Sequence, residues 1–249
     1  MLLSILGLWA NKNTFINRNG TSGEMLDSLD ARDISLRLED QGVHTFHNPA
    51  HLQYCQGEVL ASTQFYGNES LHSNSTIGMN CMIMGNVTIS DDVSLGDNVT
   101  VDFGAVLGSQ GYGYFRNENN EIEGFPQLGG VTIGNDVYIG ANTTIDRGSL
   151  DDTIVGNGSK IDNLVHIAHN AVIGNNVIII ANAMIAGSVQ IKDDSWIAPS
   201  ASILNQASVG ERTKIGIGSV VLKSVPKDQN LMGNPALPLK EFLKSQKLR

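Results

Sequence analysis

Only two cysteines, Cys55 and Cys81, occur in 249 residues. They are too few for a disulfide framework and carry no paired C-x-x-C metal spacing, so both are expected to be free thiols in a reducing compartment. Aromatic side chains make up 6% of the chain and charged ones 16%. Basic residues are outnumbered, 16 Lys and Arg against 25 Asp and Glu, for a formal charge of −9, which argues against a nucleic-acid backbone as principal partner. Long apolar runs are missing too. Leu2 to Trp9 is apolar but short, with no basic residue before it, so neither a signal peptide nor a membrane span is expected, and a cytoplasmic location is. What is abundant is glycine, 27 residues, and asparagine, 24. That composition does not suit a helix bundle, a coiled coil or a disordered acidic chain; it suggests many short β segments joined by tight turns.

Aliphatic residues recur every six positions. Ile77, Ile83, Ile89, Leu95, Val101 and Leu107 form one series, Ile133, Ile139 and Ile145 a second, and twelve more run unbroken from Val155 to Val221. Two positions before each of these 21 anchors stands Ser, Cys, Val, Ala or Thr, as at Ser75, Cys81, Val165, Ala183 and Ser219. A period of six is neither the 3.6 of a helix nor the plain alternation of a strand. It fits a three-sided coil of 18 residues, in which each side is a short strand and each corner a turn. The anchor and the small residue before it point inward, and Gly, Asn and Asp turn the corners because they tolerate positive φ. The expected fold is all-β: a parallel β-helix of about seven coils.

The repeat breaks twice. Leu107 and Ile133 are 26 residues apart, two more than four sixths, and Ser109 to Gly129 reads as a projecting loop whose Gly, Tyr, Phe and Pro content could shape a pocket. Ile145 and Val155 are ten apart, enclosing Asp146-Arg147-Gly148-Ser149-Leu150-Asp151-Asp152. Residues 1–70 lack the hexad and are expected to form a small N-terminal region, with the β-helix over 71–222. Beyond it, 223–249 should cap the open end, with an amphipathic helix from Leu237 to Leu248.

Two of six histidines, His166 and His169, lie inside the unbroken run. His169, two positions after its anchor, should sit at an outward corner. Gly187, one coil on, should lie beside it at about strand spacing, ~4.8 Å. An imidazole there can take a proton from an amine or hydroxyl, and a side-chain-free N–H can hold an oxyanion on a thioester carbonyl. The alternative is a merely solvated corner. Asp162, beside the preceding anchor, could orient a base or bind substrate, or simply be a solvated turn residue. His166 reads as a secondary contact. No metal site is expected; His44, His47 and His51 lie on an unassigned segment whose spacing alone does not hold zinc.

The runs Thr143 to Asp152, Gly156-Asn157-Gly158, Ile161-Asp162-Asn163 and His166-Ile167-Ala168-His169-Asn170, with Gly111-Tyr112-Gly113-Tyr114 and Pro126-Gln127-Leu128-Gly129, resemble the UDP-3-O-acylglucosamine N-acyltransferases (LpxD) of lipid A and lipopolysaccharide synthesis. The resemblance runs from about residue 100 to 190. It implies a left-handed β-helix, a homotrimer with active sites between subunits, His169 as general base, Gly187 as oxyanion donor and Asp162 as the nearby acid. It places His166 and Asn163 among the substrate contacts. Phe46 and Asn48, in Thr45-Phe46-His47-Asn48-Pro49, faintly resemble the family's uridine-binding residues.

The implied acceptor is a nucleotide-linked amino sugar. The implied donor is the phosphopantetheine of an acyl carrier protein or coenzyme A, with no tightly bound cofactor. Asn205-Gln206-Ala207 stands where the family carries a histidine in an Asn-Gly-His context. Met232-Gly233-Asn234-Pro235-Ala236 resembles the ending of acetyl-CoA-dependent acetyltransferases, so a shorter acyl group and a sugar O- or N-acetyltransferase stay open. From Leu222 onward six basic residues face two acidic ones. Asn205, Lys240 and Lys244 are therefore candidate donor contacts, for an acidic carrier or the phosphates of coenzyme A. A γ-type carbonic anhydrase, needing more coil-borne histidines, and a non-enzymatic β-helix scaffold are the readings from other classes.

Overall fold

A computed structural model describes residues 54–55, 58–59, 63–66, 70–72 and 74–247. Strands mostly two residues long stack into three sheets of nine, eight and ten strands, parallel but for the last strand of the third, the faces of a prism of about nine turns. The first face carries Thr144–Asp146, His166–Ile167, Met184–Ile185 and Ser202–Ile203; the second Val131–Ile133, Thr153–Val155 and Val172–Ile173; the third Tyr138–Ile139, Lys160–Ile161 and Ile178–Ile179. In the regular part each strand pairs with the one 18 residues on, as His166 with Met184 and Ile167 with Ile185. Every anchor of the hexad and every small residue two before it is buried. A small inward partner is required because an anchor of Ile size already fills its third of the narrow interior.

The corners follow the same arithmetic. Except at Gly130 and Asp152, next to the two breaks, the residue three before the anchor adopts the left-handed region, with φ of +56° at Asn74, +57° at Asn98 and +58° at Asn170. On the corner from the second face to the third, side-chain oxygens form a ladder. Asn135 Oδ1 accepts the Asp97 N–H, Asn157 Oδ1 that of Asn135, Asn175 Oδ1 that of Asn157, and Asp193 Oδ1 that of Asn175, at 2.7–2.9 Å. Each coil thereby satisfies a turn amide of the coil before it.

The solenoid is longer than the seven coils read from the hexad. Tyr54–Cys55, Glu58–Val59, Gln64–Phe65 and Ser70–Leu71 already pair in parallel with later coils, so it begins before residue 71. Phe65 in place of an aliphatic anchor hides the period there. The strands Tyr54–Cys55, Glu58–Val59, Gln64–Phe65 and Ser70–Leu71 therefore belong to the coils and not to a separate region 1–70, while residues 1–53 lie outside the described ones. At the other end Leu237–Pro238 pairs antiparallel with Leu231 and Met232, and the helix runs Leu239–Lys247, starting later than expected because Leu237 and Pro238 are engaged as a strand.

Both breaks in the hexad fall on the same corner, from the first face to the second. Across the first, Val106 pairs with Thr144 and Val93 with Val131, a separation of 38 rather than 18; across the second, Val131 pairs with Thr153, a separation of 22. The extra chain leaves the corner as the loop, whose Tyr114–Arg116 and Ile122–Gly124 form an exposed antiparallel hairpin outside the prism.

Candidate active site

The corner that carries both insertions also carries His169, and the loop's base is fastened to the second break. Arg147, 8% exposed, donates through Nε to the Gly129 carbonyl (2.7 Å) and through a terminal nitrogen to Asp92 (3.0 Å). Ser149 Oγ donates to Gln127 Oε1 (2.8 Å), and the Leu128 N–H donates to the Ser149 carbonyl (2.7 Å). Gly111 at the loop's start lies so close to the histidine that a Cβ there would stand 2.7 Å from His169 Cβ. Tyr112, Asp146, His166, His169, Gly187 and Asn205 consequently share the wall of one cleft of about 370 Å³.

Geometry fixes the tautomer of His169. Asn170 Oδ1 accepts the Ser149 N–H (3.0 Å) while its Nδ2 donates to the Asp151 carbonyl (3.0 Å), so the oxygen is the end turned toward His169 Nδ1, 3.1 Å away. Nδ1 must then donate, which leaves the lone pair on Nε2. Nε2 lies over Gly187: a Cβ there would come within 2.8 Å of both Nε2 and Cε1. Any larger residue would displace the imidazole. Unlike the amides of Asn135, Asn157 and Asn175 on the ladder corner, the Gly187 N–H has no acceptor among the described residues, and it is available to a ligand.

A second polar group backs the cleft. Asp146 is 7% exposed; its Oδ1 accepts the Ser109 hydroxyl (2.7 Å) and its Oδ2 lies 3.7 Å from His166 Nε2. Burial pushes its carboxyl above the usual range, against the opposing pull of the Ser109 hydrogen bond and of His166 and His169. His166 Nδ1 is 2.8 Å from Thr144 Oγ1. Both ring nitrogens of His166 thus face protein groups, whereas His169 Nε2 faces the cleft.

Asp162 and Asn163 are not brought to this cleft within the chain. They occupy the corner from the third face to the first, where Asp162 accepts the N–H groups of Asn163 (2.8 Å) and Ala181 (3.1 Å), and Asn163 Oδ1 that of Ala141 (2.7 Å). Sequence spacing alone could not show this, because seven residues cover more than one side of the coil. Burial and the neighbouring Asp102 raise the Tyr138 phenol on the adjoining face, with a smaller contribution from Asp162. Asn205 lines the cleft. Lys240 and Lys244 are exposed on the C-terminal helix and do not line it. Phe46 and Asn48 lie outside the described residues. The residues that sequence reasoning missed are Asn170, Asp146, Ser109 and Tyr112. Their signal was positional: Ser109 stands two after the anchor Leu107, as His169 does after Ile167, and Asp146 directly follows the anchor Ile145.

Among the described residues no group of three or more His, Cys, Asp or Glu side chains could hold a metal ion. No helix among them is long and apolar enough to cross a membrane.

Residues 74–109 and 152–187 match the family described as bacterial transferase hexapeptide (six repeats), and residues 130–167 match the hexapeptide repeat of succinyl-transferase. The UDP-3-O-acylglucosamine N-acyltransferase of Caulobacter sp. (strain K31) is 38% identical over 146 residues, 59% of this chain and 43% of its own length. That of Methylobacterium sp. (strain 4-46) is 37% identical over 146 residues, 59% and 41%. The match thus spans about two fifths of the length of these curated relatives. Among solved structures, LpxA from Acinetobacter baumannii superposes with a TM-score of 0.66 at 22% identity, covering 77% of this chain and 73% of that one. The Arabidopsis UDP-N-acetylglucosamine acyltransferase gives 0.65 at 24%, covering 78% and 68%. These likenesses carry the fold, a left-handed β-helix.

Proposed function

We propose that this hexapeptide-repeat chain, similar to the UDP-3-O-acylglucosamine N-acyltransferases over its central coils, transfers an acyl group from a thioester to the amine of a nucleotide-linked amino sugar. The carrying observation is the stacking of His169 on Gly187, a base with its lone pair on Nε2 beside an unclaimed backbone N–H. As the amine attacks the thioester carbonyl, the C–N bond forms and His169 Nε2 takes the amine proton. The Gly187 N–H donates to the oxyanion of the tetrahedral intermediate. Collapse breaks the C–S bond, and the imidazolium returns its proton to the departing thiolate. Asn170 accepts from Nδ1 throughout and so keeps the ring oriented with Nε2 as the atom that takes and returns the proton.

The donor is the phosphopantetheine thioester of an acyl carrier protein or of coenzyme A, and Asn205, one coil beyond Gly187, lies where its arm would pass. The enzyme acts in the cytoplasm as a homotrimer. That assembly gives Asp162 and Asn163 a role they lack within one chain: a neighbouring subunit can present their corner to the acceptor at the His169 cleft, which His166 lines from within the chain. Phe46 and Asn48 would hold the uracil. Thiol release from acetyl-CoA and from a hydroxyacyl carrier protein, measured with UDP-linked amino sugars, tests the reading. His169→Ala should lower kcat by about 10²-fold or more, and Gly187→Ala should do so comparably by displacing the imidazole. A His169→Ala variant with near-normal kcat would remove the histidine from this role.

A further inference from the structure

Packing does not account for Tyr112. The residue is 84% exposed, more than any other large apolar residue among the described ones, so it contributes almost nothing to the core. The backbone beneath it is nonetheless held firmly. The Gly113 N–H donates to the Gly111 carbonyl (3.0 Å), closing a three-residue turn with Tyr112 at its apex. Gly111 abuts both His169 and the Gln127 amide oxygen, and Gly113 abuts Gln127 Nε2, with spaces that a Cβ would fill at 2.7, 2.9 and 3.0 Å. Gln127 is itself buried and fixed by Ser149. Tyr114 stands beside the Tyr112 ring, centroids 4.9 Å apart and tilted by 60°, and Tyr112 lines the same cleft as His169. A rigidly mounted, solvent-facing ring stands one Cα step, about 3.8 Å, along the chain from the glycine that touches the base.

We propose that Tyr112 is the platform on which the pyranose ring of the acceptor stacks, its axial C–H groups against the aromatic face, so that the amine on that ring is presented to His169 Nε2. The identity of the ligand rests on the acyl-transfer reading. A hexose offers a flat C–H face of the right size for one phenol ring, while the donor's pantetheine arm is a flexible chain without one. The glycines on either side of it leave little room for a Cβ, so the chain at this turn packs directly against His169 and Gln127.

Calorimetric titration of UDP-glucosamine into the full chain tests the platform. Tyr112→Ala should raise Kd by about fivefold or more, and Tyr112→Phe should stay within about twofold of wild type because the ring face is kept. The exposed position predicts an unchanged Tm for both. In turnover, Tyr112→Ala should raise KM for the acceptor and leave KM for the donor as it was. Equal Kd for wild type and Tyr112→Ala, no binding of the sugar by wild type, or a rise in donor KM alone would each overturn the proposal. Tyr112-dependent binding of the sugar with no thiol release from either donor would leave the platform standing and sink the acyl-transfer reading instead.

Discussion

An imidazole beside a turn is common; what distinguishes His169 is that the amide next to it has only one orientation. Because Asn170 is held at both ends of its carboxamide, Asn170→Ala should free the ring and lower kcat by about tenfold with little change in KM. Asn170→Asp keeps an acceptor and adds charge that favours the imidazolium, so the acidic limb of the kcat profile should move to higher pH. Asp146 makes the opposite kind of statement. Its folded-state carboxyl binds its proton more tightly than the ordinary carboxyl does, so it costs no stability below the ordinary value of about 3.9 and an increasing amount as pH rises through the raised value. Asp146→Asn, which keeps an acceptor for Ser109, should therefore raise Tm at neutral pH, with the gain vanishing near pH 3 in thermal melts. Leu164, exposed and at φ +59°, occupies a corner position that Asn fills at residues 86, 142 and 182. Leu164→Asn should stabilise by about 1 kcal/mol, read as a Tm increase of about 2–4 °C.

At the scale of elements, the loop and the second break work as one piece. Arg147 ties Gly129 to Asp92 across the insertion, so Arg147→Ala should cost about 2 kcal/mol by leaving a buried carbonyl without its donor. It should also open the loop to limited proteolysis between residues 110 and 128. On the ladder corner, Asn157→Ala removes the acceptor of the Asn135 N–H at an expected cost near 1 kcal/mol, since water can replace it there. The sequence showed the coils plainly because each interior position imposes its own size limit, and a rule obeyed at 21 anchors is visible without a structure. It showed the pairing of His169 with Gly187 for the same reason, a fixed repeat of 18. The loop's attachment was illegible: Gln127, Arg147 and Ser149 meet through contacts between two segments that no longer obey the period. That Asp162 sits on a different corner from His169 was illegible as well, because counting residues along a coil gives no measure of distance across a corner.

For the whole molecule, the formal charge of −9 hides an acidic prism and a basic terminal helix, with Lys240 and Lys244 exposed on it. Reversing both to Glu should raise KM for an acyl carrier protein by about fivefold or more at low salt and much less at high salt, as expected of a steering contact; an unchanged KM for both donors would dismiss the helix as a docking element. The nine-turn length was underread at both ends, where Phe65 replaces an aliphatic anchor and where Asn230–Met232 adds a parallel strand beyond the last anchor. The ladder of carboxamides has one last consequence. It makes deuterium uptake a map of the cleft: amides at Asn135, Asn157 and Asn175 should exchange slowly with the stack, while Gly187, on the corner without such a ladder, should take up label within the first time points. Saturation with acceptor and a non-reactive donor analogue should slow that single amide, marking the moment at which a ligand supplies the acceptor that the fold withholds.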